Sequence, residues 1–471
     1  MNKEDPRDLK KVKKRLEKHG QGHVLRFWNK LDGQERQKLL DQIAEIDFDL
    51  IERLSRQALA DNEKTGQDLR LEPAEFITLE QRKSLDPEAE SEGENALRAG
   101  KVAAFLVAGG QGTRLGFDGP KGMFPVTPVK KKSLFQLHAE KLLAIGLRYH
   151  KIIPWYIMTS ETNHAATVSF FRDNDFFGYK KSDILFFAQE MIPAIDRKGR
   201  LILDEPGHIF TNPNGHGGSL KALWKSGAIK DMKDRGVEYI FYFQVDNVLT
   251  RICDPVYIGY HIMHKSEMSN KVVRKKSAEE KMGVLCKING KLGLIEYSDI
   301  GEENMQARNA DGSLKFWAGN IATHMLSVAF VERENKDGFR LPYHIAEKSI
   351  PYLDANGRLI TPKDKNGIKF ETFVFDALQD AERTVSIEII RSEEFSPLKN
   401  KDGDNSPETV RRALNNTYRN WLSSAGYDLK LDANGEYKYD IEISPLIAIR
   451  PGDLKGKKYK INPDDKMIYL G

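Results

Sequence analysis

The sequence predicts an α/β protein built on an open, mostly parallel sheet with helices on both faces. Short apolar runs of the kind found in strands buried on both faces alternate with segments of helical spacing. A glycine-rich turn directly follows the first of these runs, at residues 102–108, which is typical of a strand that leads into a ligand-binding loop. We also predict an N-terminal helical segment and a small C-terminal β-rich module.

The strands and helices of this fold are predicted from local patterns. Strands are expected at 102–108, 155–158, 184–187 and 238–245, where the chain is mostly apolar. One helix begins after Ser133, with Gln136 completing a capping box, and a second crosses 165–171. Near the C-terminus, a helix over 407–425 precedes alternating or apolar strand-like segments at 437–443, 445–449 and 457–461, and Asn434-Gly435 predicts a turn.

Changes in composition divide the chain into three predicted parts. Residues 1–97 form an N-terminal helical region, because apolar residues between 27 and 59 recur at helical spacing. The acidic stretch 87–95 predicts a linker into the next part. Residues 98–405 hold the alternating strands and helices and form the expected catalytic domain. Residues 406–471 are the C-terminal helix and β module.

The composition excludes several classes of protein and partner. A chain of 471 residues with 40% hydrophobic and 30% charged residues is neither disordered nor collagen-like. Its net charge of +4 is too balanced for a dedicated nucleic-acid binder. No apolar run approaches the ~18 residues that a membrane-spanning helix requires. We therefore expect neither nucleic acid nor a membrane as a partner, and the sequence leaves the oligomeric state open between a monomer and a weak dimer.

The cysteines and the N-terminus predict a cytoplasmic protein. Cys253 and Cys286 cannot form a disulfide framework, and their spacing matches no Cys-x-x-Cys motif. The first residues, Met-Asn-Lys-Glu-Asp, lack the apolar region of a secretory signal. His261 and His264 are predicted to lie along one helix face rather than to bind zinc.

The turn after the first strand predicts a phosphate-binding loop. It reads Gly-Gly-Gln-Gly at 109–112 and is followed by Arg114 and by Pro120-Lys121. Glycines let the backbone approach a ligand closely and direct several N–H groups toward it. Arg114 adds a planar donor suited to phosphate oxygens, and Lys121 adds a mobile point charge.

Two common phosphate loops do not fit this segment. A dinucleotide fingerprint requires a third glycine where Leu115 stands, and no Gly-Lys-Ser or Gly-Lys-Thr of a Walker loop occurs here. The sequence therefore supports neither a dehydrogenase nor a P-loop kinase.

The complete motif resembles the signature of eukaryotic-type UDP-sugar pyrophosphorylases. Gly-Gly-Gln-Gly-Thr-Arg-Leu-Gly at 109–116 and Pro-Lys-Gly-Met at 120–123 carry the resemblance. Further blocks follow in the order of that family, at 154–160, 245–247, 318–322, 373–376 and 394–400. Within the family, the chain most resembles the UDP-N-acetylglucosamine branch.

The resemblance implies a Rossmann-like, GT-A-like nucleotidyltransferase that forms a UDP-sugar and pyrophosphate from UTP and a sugar 1-phosphate. It also implies a role for each matched residue. The expected catalytic residues are Arg114, Lys121 and Lys399. The expected nucleotide-binding residues are Ala108, Gly109, Gly110, Gln111, Gly112, Gln189 and Gly215. The expected sugar-binding residues are His216, Gly283, Glu296, Asn320, Phe373 and Phe375.

Two of these roles carry a structural expectation. Asp246, which directly follows a predicted strand, matches the family aspartate that binds Mg²⁺ (or Mn²⁺) between the phosphates. Lys399 lies far downstream, so we expect it to reach the phosphates from the second domain through a hinge. Phe373 and Phe375 have a spacing that also suits ordinary core residues.

His216 makes the sugar an open question. By the resemblance, enzymes for N-acetylglucosamine carry Asn at this position, whereas enzymes for glucose 1-phosphate carry Gly-His-Gly, as here at 215–217. We favour N-acetylglucosamine 1-phosphate, with glucose 1-phosphate or broad specificity as the alternative.

Two other classes fit the sequence less well. A glycosyltransferase typically has a paired Asp-x-Asp, which Asp246-Asn247-Val248 lacks. A non-catalytic nucleotide-sugar-binding protein would have lost a catalytic group, yet Arg114, Lys121, Asp246 and Lys399 are all present.

Overall fold

The computed structural model describes residues 7–61, 69–429, 440–459, 461 and 466–471. Within these residues, no helix combines the length and the apolar character needed to span a membrane. The predicted turn at Asn434-Gly435 lies outside them.

The helices and strands of the described residues are numbered in chain order. The helices are α1 (Leu9–Lys18), α2 (Gly33–Glu45), α3 (Phe48–Asp61), α4 (Leu79–Arg98), α5 (Leu134–Tyr149), α6 (Glu161–Asp173), α7 (Gly218–Lys225), α8 (Ala228–Asp234), α9 (Pro255–Met263), α10 (Glu302–Gln306), α11 (Val328–Lys336), α12 (Arg391–Glu394) and α13 (Pro407–Ser424). The strands are β1 (Leu71–Glu72), β2 (Val102–Val107), β3 (Trp155–Thr159), β4 (Ile184–Ala188), β5 (Met191–Pro193), β6 (Ile195–Asp196), β7 (Leu203–Glu205), β8 (His208–Ile209), β9 (Thr211–Pro213), β10 (Tyr239–Gln244), β11 (Met268–Arg274), β12 (Val284–Ile288), β13 (Lys291–Ile295), β14 (Ala318–Ser327), β15 (His344–Lys348), β16 (Tyr352–Leu353), β17 (Leu359–Ile360), β18 (Gly367–Glu371), β19 (Thr384–Glu388), β20 (Asp440–Ile443) and β21 (Met467–Leu470).

A ten-stranded sheet forms the centre of the fold. Its order is β1-β12-β14-β10-β2-β3-β4, with β13 beside β12 and with β11 between β14 and β19. Strands β10, β2, β3 and β4 are mutually parallel, whereas β14 pairs antiparallel with β10, β11 and β12. The predicted α/β class and its four buried strands are confirmed.

The chain folds into two compact units, and each unit draws on several segments. Unit 1 comprises Met1–Leu69, Gln189–Gly218 and Leu341–Val374, and unit 2 comprises Arg70–Ala188, Ser219–Arg340 and Phe375–Gly471. The division at 97 and 405 predicted from the sequence stays a prediction.

Unit 1 has a core of its own, formed by helices α1–α3 and short strands. Leu39 and Ile43 of α2 are fully buried in one apolar cluster with Ile195 of β6 and Phe370 of β18. The Gln42 carboxamide donates to the carbonyl of Ile209 at 2.7 Å and accepts from its N–H at 2.8 Å. The predicted N-terminal helical segment is therefore confirmed.

The linker predicted at 87–95 is wrong, because this stretch lies inside α4 of unit 2. Thr78 and Gln81 form a capping box that starts the helix. Gly93 packs so closely on α9 that a Cβ there would lie 1.8 Å from the carbonyl oxygen of Pro255. Gly259 of α9 approaches the backbone of α4 in the same way. The acidic residues lie on a helix whose other side is buried, so their charge does not indicate a linker.

Among its described residues, the C-terminal module forms fewer strands than its sequence predicts. Helix α13 matches the predicted 407–425, and β20 and β21 pair in parallel. Residues 445–449 and 457–459 do not form strands. Glu442 of β20 links the module to the rest of unit 2. Its carboxylate accepts hydrogen bonds from the N–H groups of Val129 and Lys130, at 3.0 and 2.7 Å.

Candidate active site

The predicted phosphate-binding loop leaves the carboxyl end of β2 and closes on itself. The N–H of Gly112 donates to the carbonyl of Gly119 at 2.8 Å, and the N–H of Lys121 donates to the carbonyl of Gly110 at 3.0 Å. These hydrogen bonds bring residues 119–121 back beside residues 110–112. Gly112 is required for the close approach, since a Cβ there would lie 2.8 Å from a ring carbon of Phe117. The loop therefore presents Lys121 next to the glycine backbone.

Asn163 holds the base of this loop and was not predicted from the sequence. Its carboxamide nitrogen donates to the carbonyls of Ala108 at 3.0 Å and Gly110 at 3.4 Å. Its oxygen accepts from the N–H of Ser160 at 2.8 Å, so the same side chain caps α6. The fully buried carboxamide links the ends of β2 and β3. The available signal was a polar residue three positions after a serine that ends a buried strand.

Asp246 lies beside the loop because β10 is the parallel neighbour of β2. Val107 and Gln244 are register partners, and the N–H of Val245 donates to the carbonyl of Val107 at 3.1 Å. One carboxylate oxygen of Asp246 lies 3.5 Å from the ammonium of Lys121. The structure thus brings together the predicted metal-binding carboxylate and a predicted catalytic lysine.

Two basic side chains of α5 hold the segment around Asp246. His138 is fully buried, and one ring nitrogen lies 2.9 Å from the carbonyl oxygen of Val245. Burial lowers the pKa of His138 to about 3, so the ring is neutral and the nitrogen at Val245 is the donor. Lys141 donates to the carbonyls of Val248 at 2.5 Å and Thr250 at 3.0 Å. Neither residue was singled out from the sequence.

Lys399 does not come from a separate unit, so that expectation was wrong. Residues 375–471 belong to unit 2, together with the glycine loop and Asp246. The N–H of Leu398 donates to the carbonyl of Asp246 at 2.9 Å, and the N–H of Lys399 donates to that of Asn405 at 2.7 Å. The side chain of Lys399 is exposed. The backbone therefore places Lys399 one residue beyond a direct contact with Asp246.

Arg114 lies in a short 3₁₀ turn, Thr113–Leu115, between the glycines and Lys121. Its side chain is exposed and forms no ion pair or hydrogen bond with the described residues. An exposed guanidinium next to the loop is available to a phosphate without first breaking an internal contact.

Three predicted sugar-binding residues of unit 2 lie close together at one end of β12 and β14. The N–H of Asn320 donates to the carbonyl of Gly283 at 2.9 Å. A Cβ at Gly283 would lie 3.3 Å from a carboxylate oxygen of Glu296. The backbone of Asn320 and the carboxylate of Glu296 therefore both lie near Gly283, and a carboxylate and an amide are groups suited to the hydroxyls of a sugar.

Two predicted sugar residues of unit 1, His216 and Phe373, lie in a cluster of tilted rings with His344. The His216 ring lies 5.2 Å from that of Phe373, which lies 4.5 Å from that of His344. The N–H of Val374 donates to Nδ1 of His216 at 3.1 Å. Burial, together with the nearby His344, lowers the pKa of His216 to about 4, so His216 is neutral near pH 7 with its proton on Nε2.

Glycines on either side of His216 are a packing requirement. Gly215 has a φ of +83°, and a Cβ there would lie 2.3 Å from the carbonyl oxygen of Thr372. The N–H of Gly217 donates to that same carbonyl at 2.8 Å. The Gly-His-Gly loop therefore lies directly on the backbone that follows β18.

Gln189 and Phe375 complete the predicted set. Gln189 is partly buried in unit 1, between β4 and β5. Phe375 belongs to unit 2, and its side chain is only 4% exposed.

Comparison with known proteins gives the family. Residues 48–416 match the family described as UTP–glucose-1-phosphate uridylyltransferase. The chain belongs to this family. It is 37% identical to the human UDP-N-acetylhexosamine pyrophosphorylase-like protein 1, over 93% of this chain and 92% of the relative. It is 36% identical to UDP-N-acetylglucosamine pyrophosphorylase of Saccharomyces cerevisiae, over 87% and 90% of the two chains.

A solved structure extends this similarity to the whole chain. The uridine diphosphate N-acetylglucosamine pyrophosphorylase of Trypanosoma brucei superposes with a TM-score of 0.83 at 27% identity, and the match covers 100% of this chain and 99% of that one. Membership of the uridylyltransferase family confirms the predicted resemblance, the nucleotidyltransferase type of α/β fold and the assignment as an enzyme of this class.

Proposed function

We propose that the protein forms a UDP-sugar and pyrophosphate from UTP and a sugar 1-phosphate, with N-acetylglucosamine 1-phosphate as the preferred sugar. One observation carries this proposal. A glycine loop and a carboxylate follow two neighbouring parallel strands, β2 and β10, with Lys121 and Asp246 3.5 Å apart between them. The carboxyl ends of parallel strands are where open α/β sheets bind nucleotides.

The reaction is a direct displacement at phosphorus. An oxygen of the sugar phosphate attacks the α-phosphorus of UTP, and the bond from this phosphorus to the oxygen that bridges the α- and β-phosphates breaks. That oxygen leaves with pyrophosphate. No covalent enzyme intermediate is needed, so the protein contributes positioning and neutralisation of charge.

The residues of unit 2 divide this work by their chemistry. The backbone of 109–112 binds the nucleotide, and Lys121 neutralises charge on its phosphates. Arg114 forms the bidentate contact that a guanidinium favours, and Lys399 adds a second point charge. Preorganised donors of this type each typically contribute a factor of about 10² to 10³ in rate.

Asp246 is the residue proposed to hold Mg²⁺ or Mn²⁺. A single carboxylate suits these ions, which complete their coordination with phosphate oxygens and water. Bound there, the ion would supply positive charge to the α- and β-phosphates. The Lys121 ammonium lies 3.5 Å from the Asp246 carboxylate and compensates its negative charge. At this distance the lysine does not block the carboxylate from binding a cation.

Two observations bear on the sugar. The relatives with 36–38% identity are named UDP-N-acetylglucosamine pyrophosphorylase or UDP-N-acetylhexosamine pyrophosphorylase-like protein 1, which supports N-acetylglucosamine 1-phosphate. His216, in its Gly-His-Gly loop, favours glucose 1-phosphate as the second candidate. Its ring is neutral, with Nδ1 accepting from Val374 and the proton on Nε2.

Pyrophosphate release tests the proposal. Purified protein, UTP and MgCl₂ are assayed with N-acetylglucosamine, N-acetylgalactosamine, glucose and galactose 1-phosphates. We expect the highest kcat/KM with N-acetylglucosamine 1-phosphate. Turnover with glucose 1-phosphate alone would contradict the predicted sugar preference but not the reaction class. No pyrophosphate release with any of the four sugars would contradict both the preference and the reaction class. The cytoplasmic location predicted from the sequence also stays a proposal.

A further inference from the structure

The side chain of Asn247 connects the two segments that carry Asp246 and Lys399. Its nitrogen donates to the carbonyl of Glu394 at 2.8 Å, and its oxygen accepts from the N–H of Ser396 at 2.9 Å. Asn247 is 4% exposed. Both ends of the carboxamide are thus used to hold the segment that leads to Lys399.

The backbone reinforces this connection. Asn247 and Pro397 form an antiparallel bridge, and the N–H of Leu398 donates to the carbonyl of Asp246 at 2.9 Å. This isolated bridge and the Leu398–Asp246 hydrogen bond therefore set the register between 246–247 and 396–398. Lys399 follows at once, so this register sets where its side chain begins.

A buried ion cluster anchors the far end of the same segment. The ammonium of Lys271 lies 2.5 Å from a carboxylate oxygen of Glu394 and 2.7 Å from one of Asp254, and Lys271 is 1% exposed. Asp254 also caps α9 by accepting from Val256. If this lysine moved away, the two buried carboxylates would be left without a partner, which is energetically costly. Glu394 is therefore held firmly in place.

We infer that Asn247 and the Lys271–Glu394 pair are positioning residues that hold Lys399 in register with Asp246. The inference rests on the proposed function, in which Lys399 acts on the phosphates. Asn247 itself touches no reacting group; it acts through residues 394–399. An amide at this position can donate to Glu394 and also accept from Ser396, which an ionised carboxylate cannot do.

A double-mutant cycle tests this role. Asn247→Ala should lower kcat at least about 10-fold in pyrophosphate release, because a displaced catalytic group costs up to about 100-fold per ångström. The KM for UTP should stay within about threefold, since the glycine loop is untouched. In the Lys399→Ala background, the same substitution should change kcat less than about twofold, because its effect passes through Lys399.

A second readout requires no turnover. In the ligand-free protein, hydrogen exchange at the amides of Ser396 and Leu398 should be at least about 10-fold faster in Asn247→Ala than in the wild type. Asn415→Ala is the matched control. This buried carboxamide likewise donates to Asp440 and accepts from Ile441, each at 2.7 Å, in the C-terminal module. It should leave exchange at Ser396 and Leu398 unchanged.

The outcomes separate this inference from the proposed function. Equal losses of kcat with and without Lys399, or unchanged exchange at the two amides, would overturn the positioning role while the wild type remains active. A wild type that releases no pyrophosphate would contradict the proposed function, and the exchange experiment would still decide whether Asn247 holds the segment. If Asn247→Ala does not fold, the isosteric variant Glu394→Gln is tested in its place. Glu394→Gln should lower kcat by less, and this loss should again disappear in the Lys399→Ala background.

Discussion

The ammonium of Lys121 lies 3.5 Å from a carboxylate oxygen of Asp246, and the two residues come from loops after different strands. Their side chains are only 17% and 11% exposed. The pair is therefore set by the parallel register of β2 and β10 and by the hydrogen bond between Lys121 and Gly110. A charge pair held in this way is ready before a nucleotide binds, which is the requirement for electrostatic preorganisation.

Lys121→Ala should remove one preorganised cation and lower kcat by about 10² to 10³-fold. The melting temperature should change little, because Lys121 makes a single long ion pair. Steady-state pyrophosphate release with thermal unfolding measures both effects. Lys180→Ala, at an exposed position of unit 2, is the matched control and should keep full activity. Near-normal kcat in Lys121→Ala would remove this lysine from the catalytic set.

Asp246→Asn should abolish most activity and weaken the response to Mg²⁺. The amide keeps the size of the side chain but loses the charge that a hard cation prefers. We expect kcat to fall at least about 10²-fold and the half-saturating Mg²⁺ concentration to rise. Titration of MgCl₂ at fixed UTP measures both, with the exposed Asp173→Asn as control. An unchanged Mg²⁺ response would show that Asp246 does not hold the ion.

Local patterns predicted the parts of this site that lie at strand ends. The apolar run before residue 109, the glycines and Asp246 are all recognisable within a few residues of sequence. The side chains that hold these residues in place cannot be recognised from the local sequence. Asn163, His138 and Asn247 each bond backbone far away in sequence, and nothing local distinguishes them from other buried polar residues.

The wrong predictions share the same physical origin. The acidic stretch 87–95 was predicted to be a linker because its charge is visible in the sequence, whereas the packing of Gly93 on α9 depends on the tertiary fold. Lys399 was assigned to a second domain because of its distance along the chain, but the bridge between Asn247 and Pro397 keeps this segment in unit 2.

Buried neutral histidines should make the protein less stable in acid. Burial, together with the nearby Lys141, lowers the pKa of His138 from the ordinary 6.5 to about 3. Between these values the unfolded chain binds a proton that the folded chain does not, so the free energy of unfolding decreases as the pH falls below 6.5. For His138 this amounts to about 2 kcal/mol at pH 5.

Chemical denaturation at pH 7 and pH 5 measures this effect. His138→Gln removes the titrating ring and should reduce the loss of stability between the two pH values by up to about 2 kcal/mol. The exposed His264→Gln should lose as much stability as the wild type. An equal pH dependence in His138→Gln and the wild type would show that His138 is not held neutral.

His216→Asn should change the preference between sugars. The asparagine oxygen retains an acceptor for the N–H of Val374, whereas the ring contact with Phe373 is lost. We expect kcat/KM for N-acetylglucosamine 1-phosphate relative to glucose 1-phosphate to rise by about 10-fold, a factor typical of one pocket contact. The KM for UTP should stay constant. A constant ratio of the two sugars in His216→Asn would remove His216 from the specificity determinants.

Gly112→Ala should distort the phosphate loop and weaken nucleotide binding. The added Cβ would lie 2.8 Å from a ring carbon and 2.9 Å from the carbonyl oxygen of Phe117, and the second of these cannot rotate away. The loop must therefore shift, which breaks the bond from Gly112 to Gly119 or displaces Lys121. We expect Kd for UTP in calorimetry to rise at least about 10-fold, since each 1.4 kcal/mol of lost binding is tenfold. Gly22→Ala, which meets no atom within 4 Å, is the control. Unchanged UTP binding by Gly112→Ala would mean that the glycine serves the turn alone and that the nucleotide contacts the chain elsewhere.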